Sequence, residues 1–198
     1  LDKNGTYLFG RFRERPSQES FTDFFDHYYD RLSRFAATIV KSELLAEEVV
    51  LDVFLKLWES RDSLHTINNI ETYLYISVRN KSINALKKEQ RFHFDMLADS
   101  HIQLADYKPS AEHDLIEDEM FVALNKAVQL LPSKCKIIFK LIREDGLNRN
   151  EVAEILNISV KTVDNQLTIA VRKIAEQLNI DLSNPKNSSG LIALLLTL

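Results

Sequence analysis

The sequence has little of what catalytic and secreted scaffolds need. A single cysteine among 198 residues, Cys135, excludes an internal disulfide framework and a cysteine-based zinc site. Four glycines and four prolines are too few for a loop-rich all-β fold or a phosphate-cradling glycine loop. No apolar run approaches the ~20 residues of a membrane span, and no basic-then-apolar signal segment opens the chain. The expectation is a cytoplasmic protein with no direct membrane insertion. The histidines His27, His65, His93, His101 and His113 are scattered, without paired-ligand spacing. No metal, cofactor or catalytic group is expected, and Cys135 reads as a packed thiol rather than a nucleophile. The chain does not read as an enzyme.

What is present is apolar residues at helical spacing. At 45% hydrophobic content the chain can bury a core, and its length suits one large domain or two small ones. Over 20–41, Phe21, Phe24, Phe25, Tyr28, Leu32, Phe35, Ala36, Ile39 and Val40 recur at three- and four-residue steps, which predicts a helix. A second helix is predicted over 42–59, with Ser42 as N-cap and Ala46, Val49, Val50, Val53, Phe54, Leu57 and Trp58 as its apolar stripe. The polar stretch 60–69 reads as a loop. A third helix, 70–90, turns Tyr73, Leu74, Ser77, Val78 and Leu86 inward and shows Arg79, Asn80, Ser82, Asn84, Lys87 and Lys88 outward.

Periodicity then lapses, and a second helical set is predicted over 115–130, 133–145, 149–156 and 160–178, with Pro132 starting one helix and Gly146 ending it. The expected fold is all-α: two small helical domains, a three-helix bundle and a helix-turn-helix unit, joined by a flexible linker. The expected divisions are an N-terminal extension at 1–19, a first domain at 20–91, a linker at 92–113, a second domain at 114–180 and a tail at 181–198. The tail ends in an apolar run, 191–198, too short to span a bilayer and suited to an apolar groove.

A net charge of −4 counts against a protein that grips DNA unaided, because phosphate neutralisation supplies most non-specific affinity. The charge is unevenly placed. Arg79, Lys81, Lys87, Lys88 and Arg91 cluster against Glu89 alone, whereas Glu43, Glu47, Glu48, Asp52, Glu59 and Asp62 outnumber Lys56 and Arg61. A basic face beside an acidic one implies two different partners.

The strongest local signal is 146–175, GLNRNEVAEILNISVKTVDNQLTIAVRKIA. Asn148 and Glu151 have capping-box spacing, small Ala153 permits a close helix crossing, and Asn157 stands where a left-handed turn residue is needed. Ser159 can cap the next helix, whose Val163, Leu167, Ala170, Val171 and Ile174 face inward. That pattern predicts a helix-turn-helix whose second helix presents Lys161, Thr162, Asp164, Asn165 and Thr168 to a major groove.

Two stretches carry a family resemblance. EEVVLDVFLKLWE (47–59) followed by ETYLYISVRNKSINALKKEQR (71–91) resembles the σ2 domain of extracytoplasmic-function (ECF) sigma factors, the small sigma-70-type promoter-specificity subunits of bacterial RNA polymerase. LPSKCKIIFKLIREDGLNRNEVAEILNISVKTVDNQL (131–167) resembles their σ4 domain, in the family's order. The resemblance implies that the β′ clamp helices of core RNA polymerase meet Glu48, Leu51, Asp52, Leu55, Lys56 and Glu59, and that the β flap is a further polymerase contact. Many relatives carry Gln where this chain has Leu51, so the chemistry of that contact differs here. It implies that Arg79, Asn80, Lys81, Asn84, Lys87 and Lys88 hold the melted minus-10 element, with loop 60–69 shaping the base pocket. It implies that Arg149, Ser159, Lys161, Thr162, Asn165, Thr168 and Arg172 hold the minus-35 duplex. An anti-sigma factor is implied as a further partner. The alternatives are a helix-turn-helix activator of the response-regulator or quorum-sensing type, binding duplex directly, and a protein-interaction adaptor. The first 90 residues show no alternating βα pattern of a receiver domain, and the basic patch argues against the adaptor.

Overall fold

The computed structural model describes residues 2–97 and 119–180. The expected linker beyond position 97 and the tail 181–198, with its apolar end, lie outside the described residues. Among the described residues the secondary structure is helical throughout.

The chain opens with α1 (Lys3–Glu14), capped by the Asp2 carboxylate, which accepts from the Asn4 and Gly5 amides. No helix was expected in 1–19. Its lysine, arginines and two glycines dilute the periodic signal, and the helix holds because Phe9 and Phe12 sink into the core beside Phe24, at ring distances of 5.7 and 5.9 Å. Burying each such ring contributes roughly 1.5–3 kcal/mol. Gly5 makes the approach possible: a Cβ there would stand 2.1 Å from the Tyr28 hydroxyl.

A Ser17–Ser20 capping box starts α2 (Gln18–Val40), which buries Phe24, Tyr28, Leu32, Phe35, Ala36 and Val40. Ser42 caps α3 (Glu43–Glu59) as expected, with Ala46, Val49, Val50, Val53, Phe54 and Leu57 buried. The expected loop 60–69 is largely a 3₁₀ turn, Arg61–Thr66, pinned by buried Leu64 and by Ser63 and Thr66 hydroxyls donating to carbonyls three residues back. Then comes α4 (Ile70–Leu97), longer than predicted, with Asn69 accepting from the Thr72 amide at its start.

Two side-chain placements on α4 are corrected. Tyr73, expected inward, is 41% exposed, and Ser82, expected outward, is fully buried; Tyr75 is a core residue instead. The reason is that α4 packs against α1, α2, α3 and a helix of the second half. A helix covered on several sides lacks the single stripe from which faces are read.

The second half comprises α5 (Glu119–Gln129), α6 (Ser133–Arg143), α7 (Arg149–Leu156) and α8 (Val160–Gln177). Pro132 precedes α6, and Gly146 at φ 74° turns the chain after it. Leu124, Val128, Cys135, Phe139, Ala170 and Ile174 form one cluster. Ile138, Leu141, Val152, Ile155, Val163 and Leu167 belong instead to a cluster continuous with the first half. The junction is made by α7 on α4 and α6 on α2.

Candidate nucleic-acid interface

The helix-turn-helix is built by its caps. Asn148 accepts from the Asn150 and Glu151 amides while Glu151 Oε2 accepts from the Asn148 amide at 2.9 Å, a reciprocal capping box. Asn157 ends α7 in the left-handed region, φ 54° and ψ 53°, and Ser159 caps α8 through the Thr162 amide. Val163, Leu167, Ala170 and Ile174 are buried under α8, which leaves Lys161, Asp164, Asn165, Thr168 and Arg172 on the outside and Thr162 half-buried.

On that outer face Arg149 Nε contacts Asp164 Oδ1 at 2.8 Å, so Asp164 is paired across the motif. Both side chains are more than half exposed, at 61% and 51%. Such a surface pair is worth about 0–1 kcal/mol, small enough for a phosphate to displace the carboxylate. Arg172 pairs loosely with Glu176 at 3.6 Å. The Thr168 hydroxyl donates to the Asp164 carbonyl at 2.9 Å and so meets a ligand as an acceptor, while the Ser159 and Thr162 hydroxyls bond to each other at 2.8 Å, which leaves one O–H of that pair to donate.

On α4, Asn80, Asn84, Lys87 and Lys88 are exposed, and Arg79 and Lys81 half-buried. Arg79 Nη1 donates to Asn80 Oδ1 at 3.2 Å, which orients the amide and leaves its NH₂ to meet a base edge. Tyr73 lies two turns before Asn80 on the same side of the helix, a stackable ring that sequence reading placed inward. Its seven-residue spacing from Asn80 was the available signal.

On α3, Glu48, Leu51, Asp52, Leu55, Lys56 and Glu59 are all exposed, with Leu51 at 50% and Leu55 at 55%. Leu51 and Leu55 border an apolar groove of about 440 Å³ floored by Phe21, Phe25, Phe54 and Trp58. A second groove of about 570 Å³ joins the acidic face to the basic one, with Glu48 and Asp52 on one wall and Lys81, Asn84 and Lys88 on the other. Lys81 Nζ bridges it to Asp52 Oδ2 at 2.7 Å. The two residue sets, read from sequence as separate surfaces, therefore adjoin.

A capped helix-turn-helix behind a helical unit with one basic and one acidic face defines a two-part DNA-binding protein of transcription. Comparison with known proteins sharpens that class. Residues 24–92 match Sigma-70 region 2 and residues 121–174 match Sigma-70, region 4, together well over half of the chain. The chain belongs to the sigma-70 family, as an ECF-type RNA polymerase sigma factor. It is similar to the ECF RNA polymerase sigma factor SigW of Bacillus subtilis, 23% identical over 83% of this chain and 92% of that protein. It is also similar to the RNA polymerase sigma factor SigZ of the same organism, 23% identical over 69% of this chain and 74% of that one.

Among solved structures, the sigma factor RpoE in complex with the anti-sigma factor NepR from Bartonella quintana has the same fold, with a TM-score of 0.59 and 21% identity. The match covers 82% of this chain and 99% of that one. CnrH in complex with the cytosolic domain of CnrY matches with a TM-score of 0.56 and 17% identity, over 89% of this chain and 98% of that one. Sigma factors are not enzymes. No described helix is long and apolar enough to cross a membrane.

Proposed function

We propose that α3 docks on core RNA polymerase through Glu48, Leu51, Asp52, Leu55, Lys56 and Glu59. On this reading α8 lies in the major groove of the minus-35 element, and α4 with the 3₁₀ turn captures the melted minus-10 strand. The observation that carries it is the joint presence, in the family's order, of region 2 and region 4, the latter a capped helix-turn-helix with a polar outer face. The apolar groove beside Leu51 and Leu55 suits a helix pair on the polymerase, with Glu48, Asp52 and Glu59 as an acidic border for a basic partner.

Lys161, Thr162, Asn165 and Thr168 are the candidates for base edges and nearby phosphates, and Arg149 and Arg172 for the backbone. Arg79, Lys81, Lys87 and Lys88 would follow the single-stranded backbone while the Asn80 amide meets an extruded base and Tyr73 stacks on its neighbour. Extrusion costs a few kcal/mol, offset by polymerase contacts. Bond chemistry belongs to polymerase. The relatives solved with NepR and with the cytosolic domain of CnrY support an anti-sigma factor as this chain's further partner.

The test is promoter-specific transcription with bacterial core polymerase, on a promoter selected from a randomised pool with the wild-type protein. Asn80→Ala and Lys161→Ala are expected to bind core normally and lose initiation at least tenfold. A wild-type protein that binds duplex DNA alone but neither binds core nor starts transcripts would establish the activator reading instead.

A further inference from the structure

A carboxylate stands on the face of α8 that has to meet a polyanion. The outward residues Lys161, Asp164, Asn165, Thr168 and Arg172 repeat at three- and four-residue steps and so share one side of the helix. Asp164 is the one acid among them, on the flank that meets α7. Arg149, the first residue of α7, reaches Asp164 Oδ1 through Nε at 2.8 Å, and the Asp164 carbonyl oxygen accepts from the Thr168 hydroxyl at 2.9 Å. Among the described residues only Oδ1 of the carboxylate is engaged.

The fold has little need of that carboxylate. Val152 and Ile155 of α7 and Val163 and Leu167 of α8 already lie in one buried cluster, and both helices carry caps of their own in Asn148 and Ser159. A half-exposed ion pair adds little to such packing. In a DNA groove the same group is costly, because phosphates repel it and a carboxylate can only accept. It is tolerated there where the duplex offers it a donor.

We infer that Asp164 is a specificity-determining residue of the helix-turn-helix, which accepts a hydrogen bond from the exocyclic amino group of a cytosine in the major groove and rejects guanine or thymine at that position. The inference deepens the sigma reading above and rests on it in taking that duplex to be the minus-35 element.

The choice of base follows from what the groove displays. Guanine presents the N7 and O6 acceptors there, and thymine presents O4 and a methyl group, so a carboxylate finds no donor on either. Amino donors come from cytosine N4 and adenine N6. Adenine sets its N7 acceptor beside the amino group, against the second carboxylate oxygen, whereas the cytosine edge has the donor without an acceptor. The neighbours of Asp164 lack this selectivity. Asn165 carries both a donor and an acceptor, Lys161 only donates, and the Thr168 hydroxyl is left to accept without a charge. Asp164 therefore specifies by exclusion as well as by attraction.

Arg149 supplies the other half of the device. It neutralises Asp164 while no duplex is present. Behind it stands Arg143, whose guanidinium is pushed below the usual arginine range by burial and then by the Arg149 charge. That repulsion favours an outward Arg149, toward a phosphate. When the phosphate takes the guanidinium, the carboxylate is released to the base, and the exchange costs little because the pair is a surface one.

The experiment selects minus-35 sequences from a randomised duplex pool by retention on holoenzyme assembled from core polymerase and the full chain. Wild type is compared with Asp164→Ala and Asp164→Asn. Wild type is expected to enrich cytosine at one position, and Asp164→Ala to admit guanine and thymine there with the other positions unchanged. Placing guanine for that cytosine is expected to weaken wild-type binding by at least about fivefold, and Asp164→Ala to hold the guanine site at least about fivefold more tightly than wild type does. Asp164→Asn is expected to shift the preference toward adenine, whose N6 and N7 suit an amide. A merely structural pair would instead lower binding to every site alike. Identical selected sequences from wild type and Asp164→Ala, or a uniform loss, overturn the inference. If the chain does not bind core, the sigma reading fails by itself, and the same selection with the full chain alone judges Asp164 by the same shift at one position. A chain that retains no duplex in either form overturns both.

Discussion

Single residues decide the turn of the helix-turn-helix. Asn157 occupies the left-handed region with no glycine's freedom, at a cost of roughly 1–2 kcal/mol for an ordinary side chain there. Asparagine lowers that cost through local hydrogen bonding. Asn157→Val is therefore expected to destabilise the chain by about 1–2 kcal/mol, and Asn157→Gly to be neutral within about 0.5 kcal/mol. Urea denaturation followed by circular dichroism reads both, and equal midpoints for the two variants would remove the backbone explanation. Gly5 is the opposite case. Its φ is not unusual, and it matters because Tyr28 leaves no room for a Cβ.

The elements differ in how much of their placement was legible, and α8 and α4 mark the extremes. One apolar side and one polar side on α8 let Val163, Leu167, Ala170 and Ile174 be assigned inward from spacing alone, as found. On α4, contacts with α1, α2, α3 and α7 leave no simple stripe, and Tyr73, Tyr75 and Ser82 fell on unexpected sides. The exposed face of α8 also sets a testable salt dependence. Lys161→Ala in the polymerase complex is expected to reduce the slope of log affinity against log salt by about 1 if the lysine neutralises a phosphate. A change in sequence preference with an unchanged slope would assign it to a base edge instead.

At the scale of the whole molecule the packing of the two halves depends on two carboxylates of opposite behaviour. Burial raises Asp145 from 3.8 to about 6 in the folded form, so its contribution to stability is fullest below about pH 4 and is lost as pH rises through 6. Asp2 is held at about 2, where the Gly5 amide, His27 and Arg31 outweigh the upward push of burial. Its contribution is present above about pH 4 and lost as pH falls through 2. Between pH 4 and 6 Asp145 governs, by an amount on the order of 2–3 kcal/mol. Exchange protection of 145–156 is expected to be higher at pH 5 than at pH 7.5. Asp145→Asn, neutral at both values, is expected to show high protection throughout, and a wild-type profile in that variant would rule Asp145 out as the titrating group.

The sequence by itself determined the all-α class, the order of the two sigma-70 regions, and the caps at Ser42, Asn148, Asn157 and Ser159. Those features are local: periodicity over one helix, or a side chain reaching an amide two or three residues away. Only the tertiary structure decided that α1 belongs to the core, that Asp52 meets Lys81 and Arg149 meets Asp164, and that Arg31 joins four segments at Asp145. Each of those pairings spans from 15 to more than 100 positions and depends on which helix faces crowd together. The residues involved carry no mark of the pairing in their own neighbourhoods, because a long-range ion pair is specified by the packing that brings its two helices together.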